Sequence, residues 1–186
     1  MQNLYSLAIS PPDAIISSVR SMKEQLAEKV GWFHSKNSMA HITINEFMAT
    51  DTEIETIKKQ LTSICDSLKP MAVYFDKYDT YPNGAFFMAP DEDSKNGLKA
   101  IMKQIHQSLR VKTLFKSNEP HMSIARKLKP EAIAAAHRLF TATDLNFLCD
   151  NLVLRRFNPN IKQFEITDHF EFNDNPNATF VQGSLF

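Results

Sequence analysis

Two tetrapeptides, His41-Ile42-Thr43-Ile44 and His121-Met122-Ser123-Ile124, share the order histidine, apolar, hydroxyl, apolar and stand 80 residues apart. On a strand, side chains alternate between faces. His41 and Thr43 therefore share one face over Ile42 and Ile44, and His121 and Ser123 share one over Met122 and Ile124. Each tetrapeptide presents an imidazole beside a hydroxyl, anchored from behind by core residues. A given histidine meets this pattern by accident with a chance of roughly 2.5%, so one instance carries no weight and a pair does.

The surrounding chain supplies strands and helices in alternation. Residues 4–9 form an apolar run ended by Pro11 and Pro12, as a buried strand would. Asp13 opens a helix in which Ile15, Val19, Met22, Leu26 and Val30 recur at helical spacing and Gly31 is the stop. After the strand with His41, Thr52 and Glu55 have capping-box spacing ahead of the stripe Ile54, Ile57, Leu61, Ile64 and Leu68, which predicts a helix over 52–68. Aromatic-rich runs at 71–78 and 85–89 flank Pro82-Asn83-Gly84, a hairpin signal. Asp93 or Ser94 caps a third helix with Leu98, Ile101, Ile105 and Leu109 inward, and the strand with His121 follows. Pro130 starts a fourth helix reaching Phe140, then 145–156 and 161–171 read as strands around Asn158-Pro159-Asn160, with a last strand near 179–182. Strand, helix, His-bearing strand, helix and strand pair occur once in 1–89 and less cleanly afterwards, which points to a two-lobed α+β fold.

At 186 residues, one compact domain over 1–186 is expected. Hydrophobic content of 43%, with 14 Phe against 4 Gly, suits packed layers. Lysine plus arginine and aspartate plus glutamate both number 21, so long-range attraction to bulk nucleic acid or an anionic membrane is not indicated. Locally the balance shifts: Arg110, Lys112, Lys116, Arg126, Lys127 and Lys129 face only Glu119, so an anion site near His121 competes with a plain solvated face. Cys65 and Cys149 form no CxxC and read as buried thiols of a reducing compartment. The first residues lack the positive region of a secretory signal and no apolar run has membrane-spanning length, so a cytoplasmic protein is expected.

In-line cleavage of a phosphodiester needs one group to take a proton from the nucleophile and another, opposite, to give one to the leaving oxygen. Histidine suits both tasks near neutral pH. Thr43 and Ser123 can donate to the non-bridging oxygens where charge gathers. No HExxH, His-carboxylate cluster or DxD spacing calls for a metal, and no cofactor is expected.

These residues resemble the 2H phosphoesterases, which include bacterial 2′-5′ RNA ligase-like proteins and 2′,3′-cyclic phosphodiesterases. The resemblance rests on His41-Ile42-Thr43-Ile44 with Phe47, on Glu119-Pro120-His121-Met122-Ser123-Ile124-Ala125-Arg126, and on the opening strand Tyr5-Ser6-Leu7-Ala8-Ile9 with Pro11-Pro12. It implies two α+β lobes related by a pseudo-twofold axis, antiparallel sheets facing a central cleft and helices outside. It implies His41 and His121 as the acid/base pair, with Thr43 and Ser123 as donors to phosphate oxygens. Arg126 matches a basic, substrate-binding residue after the second motif, but strict alternation puts it opposite His121, so a bulge is needed. The second motif has Ser where Thr is commoner, which keeps the hydroxyl.

His106 and His137 lie on expected helices, and His34 and His169 lack a hydroxyl partner, so structural roles are expected for all four. Tyr74-Phe75, Phe86-Phe87 and Tyr78-Tyr81 read as core and hairpin packing, while Trp32 and Phe33 could flank the cleft or close the first helix onto its sheet. The expectation is a metal-independent, monomeric phosphoesterase acting on a 2′,3′-cyclic phosphate or 2′-5′ phosphodiester of an RNA end or small nucleotide. A non-catalytic nucleotide or phosphate binding module on the same scaffold is the alternative.

Overall fold

In the computed structural model, which describes residues 1–175, each helix is entered from a residue with extended backbone, and in α2 and α3 that residue's side chain also caps the helix. The elements are β1 (Gln2–Ile9), α1 (Asp13–Val30), β2 (Ile42–Thr50), α2 (Asp51–Asp66), β3 (Met71–Tyr81), β4 (Ala85–Pro90), α3 (Glu92–Ser108), β5 (Thr113–Lys116), β6 (Met122–Ala125), α4 (Pro130–Leu139), β7 (Leu145–Cys149), β8 (Asn151–Asn158) and β9 (Gln163–Glu171). The strand expected near 179–182 lies outside the described residues.

The capping box of α2 uses Thr50 and Glu53, not Thr52 and Glu55. Both pairs have the right spacing, but Thr50 is the last extended residue of β2, so its hydroxyl already faces the Glu53 amide at 3.2 Å. Similarly, Asp91 caps α3 by accepting from Ser94 N–H at 2.8 Å. Ser94, buried, spends its own hydroxyl on the Tyr74 amide of β3. The expected strand over 145–156 is two strands that break at Asp150, because β7 pairs with β3 and β8 with β1, in different sheets. The short strand β5 was not anticipated; its pattern is too brief and too polar to show period-2 alternation.

One sheet runs β5-β2-β1-β8-β9 and the other β6-β4-β3-β7, with antiparallel pairing throughout. The orders β2-β1-β8-β9 and β6-β4-β3-β7 correspond, and β1-α1-β2-α2 is matched by β4-α3-β6-α4. This is the pseudo-twofold α+β fold expected, with a different boundary: the second unit starts at β4, not after residue 89. The β3–β4 hairpin cannot be divided, since its turn at Gly84 (φ 80°) forces the two strands to pair. A Cβ at Gly84 would stand 2.4 Å from the Leu128 carbonyl oxygen, so only glycine fits there. The core is continuous through both sheets, and Cys65 and Cys149 are buried in it, their thiols pushed up to about 12 by burial. Among the described residues, no helix is long and apolar enough to cross a membrane.

The two units clasp one another through the segments that precede each histidine. Residues 34–35 lie along β6: Arg126 N–H donates to His34 O at 3.0 Å, and Ser35 Oγ donates to Ile124 O at 3.3 Å. Reciprocally, β5 lies along β2, and Ser117 N–H donates to Ile44 O at 2.9 Å. The first arm is fixed by Lys23, whose ammonium sits in the apolar stripe of α1 at 2% exposure. It donates to Ser35 O (3.0 Å), Ser38 O (2.7 Å) and Ser38 Oγ (3.0 Å). Burial lowers its pKa to about 8, so it stays charged at neutral pH.

Two variants test these ties. Lys23→Met takes the ammonium donor from Ser38 O, while Ser35 O keeps Ser38 N–H and Oγ, and should lower unfolding free energy by about 2 kcal/mol in urea titration. Gly84→Ala should cost at least as much, since it meets both an unfavourable φ and a backbone clash.

Candidate active site

Each tetrapeptide lies as its alternation requires. Ile42, Ile44, Met122 and Ile124 are fully buried, while His41, Thr43, His121 and Ser123 are half-buried on the opposite face. Each then ends in a β-bulge. In β2, Thr43 pairs with Ala8 and Asn45 with Leu7, so Ile44 is the extra residue; in β6, Ser123 pairs with Phe87 and Ala125 with Phe86, so Ile124 is. An extra residue flips the alternation that follows. Glu46 and Arg126, each five positions after its histidine, are thereby turned to the histidine's face. The bend that Arg126 needs is present, and its guanidinium is near enough to lower the His121 pKa. Arg126 itself remains exposed.

Both imidazoles make the same bond. His41 Nδ1 is 2.7 Å from Met39 O, and His121 Nδ1 is 2.9 Å from Glu119 O. A carbonyl only accepts, so each Nδ1 carries hydrogen and each Nε2 is the nitrogen left for chemistry. Neither Thr43 Oγ1 nor Ser123 Oγ is engaged by a protein partner among the described residues. Around His121, Phe87 packs at 5.0 Å and Tyr81 edge-on at 5.4 Å between ring centroids.

The electrostatic settings of the two rings differ. Burial, then the positive charge of Arg155, drives the His41 pKa well below the ordinary imidazole value, with Lys23 and His121 adding to the effect and the Met39 bond opposing it. Burial also lowers His121, but less, and there the Glu119 bond and carboxylate oppose it while Arg126 adds to it. That His121's charge is felt at His41 places the two rings in one neighbourhood.

Arg155 and Lys23 are the site's neighbours that the sequence reading missed. Arg155 is 6% exposed in the interior strand β8 and stands in register with Ser6, whose hydroxyl accepts from its Nη2 at 2.7 Å. The guanidinium lies 5.3 Å over the Phe164 ring, and its Nε has no hydrogen-bond partner among the described residues. Burial lowers its pKa to about 10, with Glu46 opposing, so it remains a cation. A cavity of about 40 Å³ is lined by both Arg155 and His41, with Ser10, Ala40 and Phe164 among its walls. A signal existed: a charged residue directly after the apolar Leu152-Val153-Leu154 is out of place in a strand covered on both faces. Lys23 likewise interrupts the apolar stripe of α1.

Of the other histidines, His106 is half-buried and His34, His137 and His169 are exposed. His106 Nε2 donates to Ser117 O at 2.9 Å, His137 meets Phe86 edge-on at 5.1 Å, His34 meets Trp32 at 5.0 Å, and His169 sits in register with Val153. Phe33 is core, whereas Trp32 is 68% exposed. The aromatic pair Phe86-Phe87 divides its work: Phe86 stacks on Tyr78 in the core, and Phe87 faces His121. Among the described residues, no group of three or more His, Cys, Asp or Glu is placed to hold a metal.

Solved structures share this arrangement. Escherichia coli LigT complexed with 3′-AMP superposes with a TM-score of 0.65 at 10% identity, over 92% of this chain and 99% of that one. TT0787 of Thermus thermophilus gives 0.58 at 15% identity, over 91% and 98%, and Kluyveromyces marxianus Usb1 gives 0.53 at 14%, over 82% and 93%. At such identities the likeness is one of fold. No curated protein matches the sequence. The family model of the 2′-5′ RNA ligase superfamily matches residues 11–160, most of the chain and both tetrapeptides, so this protein belongs to that superfamily, the 2H phosphoesterases.

Proposed function

We propose that this chain, as one monomeric domain in the cytoplasm, cleaves a 2′,3′-cyclic phosphate or a 2′-5′ phosphodiester at an RNA end or in a small nucleotide, without a metal. The observation that carries this reading is the bond from each Nδ1 to a carbonyl two residues earlier, which leaves both Nε2 atoms for proton transfer. The LigT structures with 3′-AMP and with phosphate support a nucleotide phosphate as the ligand class.

The charges around the rings divide the labour. His41, held neutral by burial and by Arg155, takes a proton from water at Nε2 as the water oxygen bonds to phosphorus. His121, whose cationic form is favoured by Glu119, gives its Nε2 proton to the ribose oxygen as the phosphorus–oxygen bond breaks. Thr43 and Ser123 donate to the non-bridging oxygens, and Arg126 and Arg155 add positive charge from either side. Joining two ends puts a 5′-hydroxyl in the place of water: His41 takes its proton as its oxygen bonds to the phosphorus of the 2′,3′-cyclic phosphate, and His121 gives its proton to the ribose 3′ oxygen that leaves, so that a 2′-5′ bond remains.

The direct test is turnover of a 2′,3′-cyclic nucleotide in EDTA. Wild type should turn over, and His41→Ala and His121→Ala should each lose about 1000-fold in kcat. Thr43→Ala and Ser123→Ala should lose about 100-fold, with Thr43→Ser retaining activity. Nucleotide binding without turnover on cyclic and 2′-5′ substrates would instead make the chain a binding module.

The pH profile tests the division of roles. Activity needs neutral His41 and protonated His121, and both pKa values are lowered, so kcat/KM should peak on the acid side of about pH 6.5. Arg155→Met removes a cation beside His41 and should move the acid limb to higher pH. Glu119→Gln removes an anion beside His121 and should move the alkaline limb to lower pH. Limbs that respond the other way round would reverse the assignment.

A further inference from the structure

Across the cleft face of the first sheet runs a row of cross-strand neighbours: Phe115 of β5, Glu46 of β2, Ser6 of β1 and Arg155 of β8. Residues paired directly across antiparallel strands share a face. Thr43 belongs to the next row of that face, since it pairs with Ala8, two residues along β1 from Ser6. One same-face step separates the rows, about 7 Å, comparable to the reach of a nucleotide from its phosphorus to its base. β5 ends the sheet, so no strand lies beyond Phe115, which is 50% exposed. Among the described residues no ring packs on it. Glu46 is half-buried beside it, and no hydrogen bond or ion pair among the described residues engages its carboxylate. Arg155, on the far side of Ser6, feels the charge of Glu46 but gives its Nη2 hydrogen to the Ser6 hydroxyl.

An open aromatic face beside an unengaged carboxylate restricts what can sit there. The ring offers a flat apolar surface on which a base can stack. The carboxylate only accepts hydrogen bonds, so its ligand must donate, and a second phosphate would be repelled. Guanine is the one RNA base that presents adjacent donors, N1–H and the 2-amino group, to both oxygens of a carboxylate. Adenine and cytosine set a ring acceptor next to their amino group, and uracil flanks its N–H with carbonyls, so each of them turns a lone pair toward the anion. We infer that Phe115 and Glu46 form a nucleobase subsite of the cleft and that the base it selects is guanine. The inference deepens the proposed function and rests on it: with the reacting phosphate at the tetrapeptides, its own nucleoside reaches along β2 to Glu46. The bulge that turns Glu46 into the cleft has its counterpart turning Arg126 in from the other half, so opposite charges at equivalent positions orient the nucleotide.

The test reads base preference by binding alone. The full-length protein is titrated in EDTA with the 3′-monophosphates of guanosine, inosine, adenosine, cytidine and uridine by isothermal titration calorimetry. 3′-GMP should bind about tenfold more tightly than 3′-AMP, with 3′-IMP, which keeps N1–H and lacks the 2-amino group, in between. Glu46→Gln should bring 3′-GMP to within about twofold of 3′-AMP while 3′-AMP stays within about twofold of its wild-type affinity, which shows the cleft intact. Phe115→Ala should weaken 3′-GMP and 3′-AMP alike, by about tenfold each. Equal affinity of wild type for the two purines, a guanine preference that survives Glu46→Gln, unaltered binding by Phe115→Ala, or no binding of any of the nucleotides overturns the inference. Turnover plays no part in the titration. Loss of the base preference removes the subsite and leaves the cleavage reading standing, whereas a guanine preference without turnover of any cyclic or 2′-5′ substrate keeps the subsite on a binding module.

Discussion

Two backbone hydrogen bonds, Arg126 N–H to His34 O and Ser117 N–H to Ile44 O, bring each half of the molecule to the other's histidine strand. The arm that precedes His41 runs along the strand of His121, and the arm that precedes His121 runs along the strand of His41. The receiving groups sit at or beside the bulge residues Ile44 and Ile124, where the ladder within each sheet is interrupted and backbone groups need another partner. The exchange satisfies those groups and fixes the distance between the two tetrapeptides. Lys23, with three acceptors in one arm, locks the first of these clasps.

The backbone symmetry of the site is close, yet its charges are unequal. Both rings donate from Nδ1 to the carbonyl two residues back, and both strands bulge at the fourth motif position. At the equivalent fifth position after each histidine, however, one half has Glu46 and the other Arg126. Two buried cations, Arg155 and Lys23, act on His41 alone, whereas Glu119 acts on His121. Repetition of the chain gives two similar rings, and unlike neighbours give them unlike protonation.

Much of this was legible in the sequence because it depends on local periodicity. The helices follow from stripes of apolar residues, and the hairpin from Pro82-Asn83-Gly84. The motif strands follow from alternation of imidazole, apolar and hydroxyl groups. What escaped was set by partners distant in the chain. Which of two equally spaced Thr-Glu pairs caps α2 depends on where β2 stops pairing, and the break at Asp150 depends on two sheets competing for one apolar run. Arg155 gains its meaning from Ser6 and Phe164, neither of which is near it in sequence except across a turn. Arg126 shows the same limit in reverse: alternation points it away, and only the bulge at Ile124 turns it back.

The strand order also governs how the molecule can be made. β8 completes the first sheet beside β1, pairing Tyr5 with Arg156, although the whole second unit lies between them in the chain. A nascent chain that has emerged only through the second tetrapeptide owns both imidazoles but still lacks the strand that covers an open edge of β1, along with the guanidinium that neighbours His41. Such an intermediate exposes unpaired backbone on a strongly apolar strand for as long as synthesis of the remaining segment takes. Closure must therefore come late and over a long span, which places this protein among slow folders and makes its first half the part most in need of protection on the ribosome.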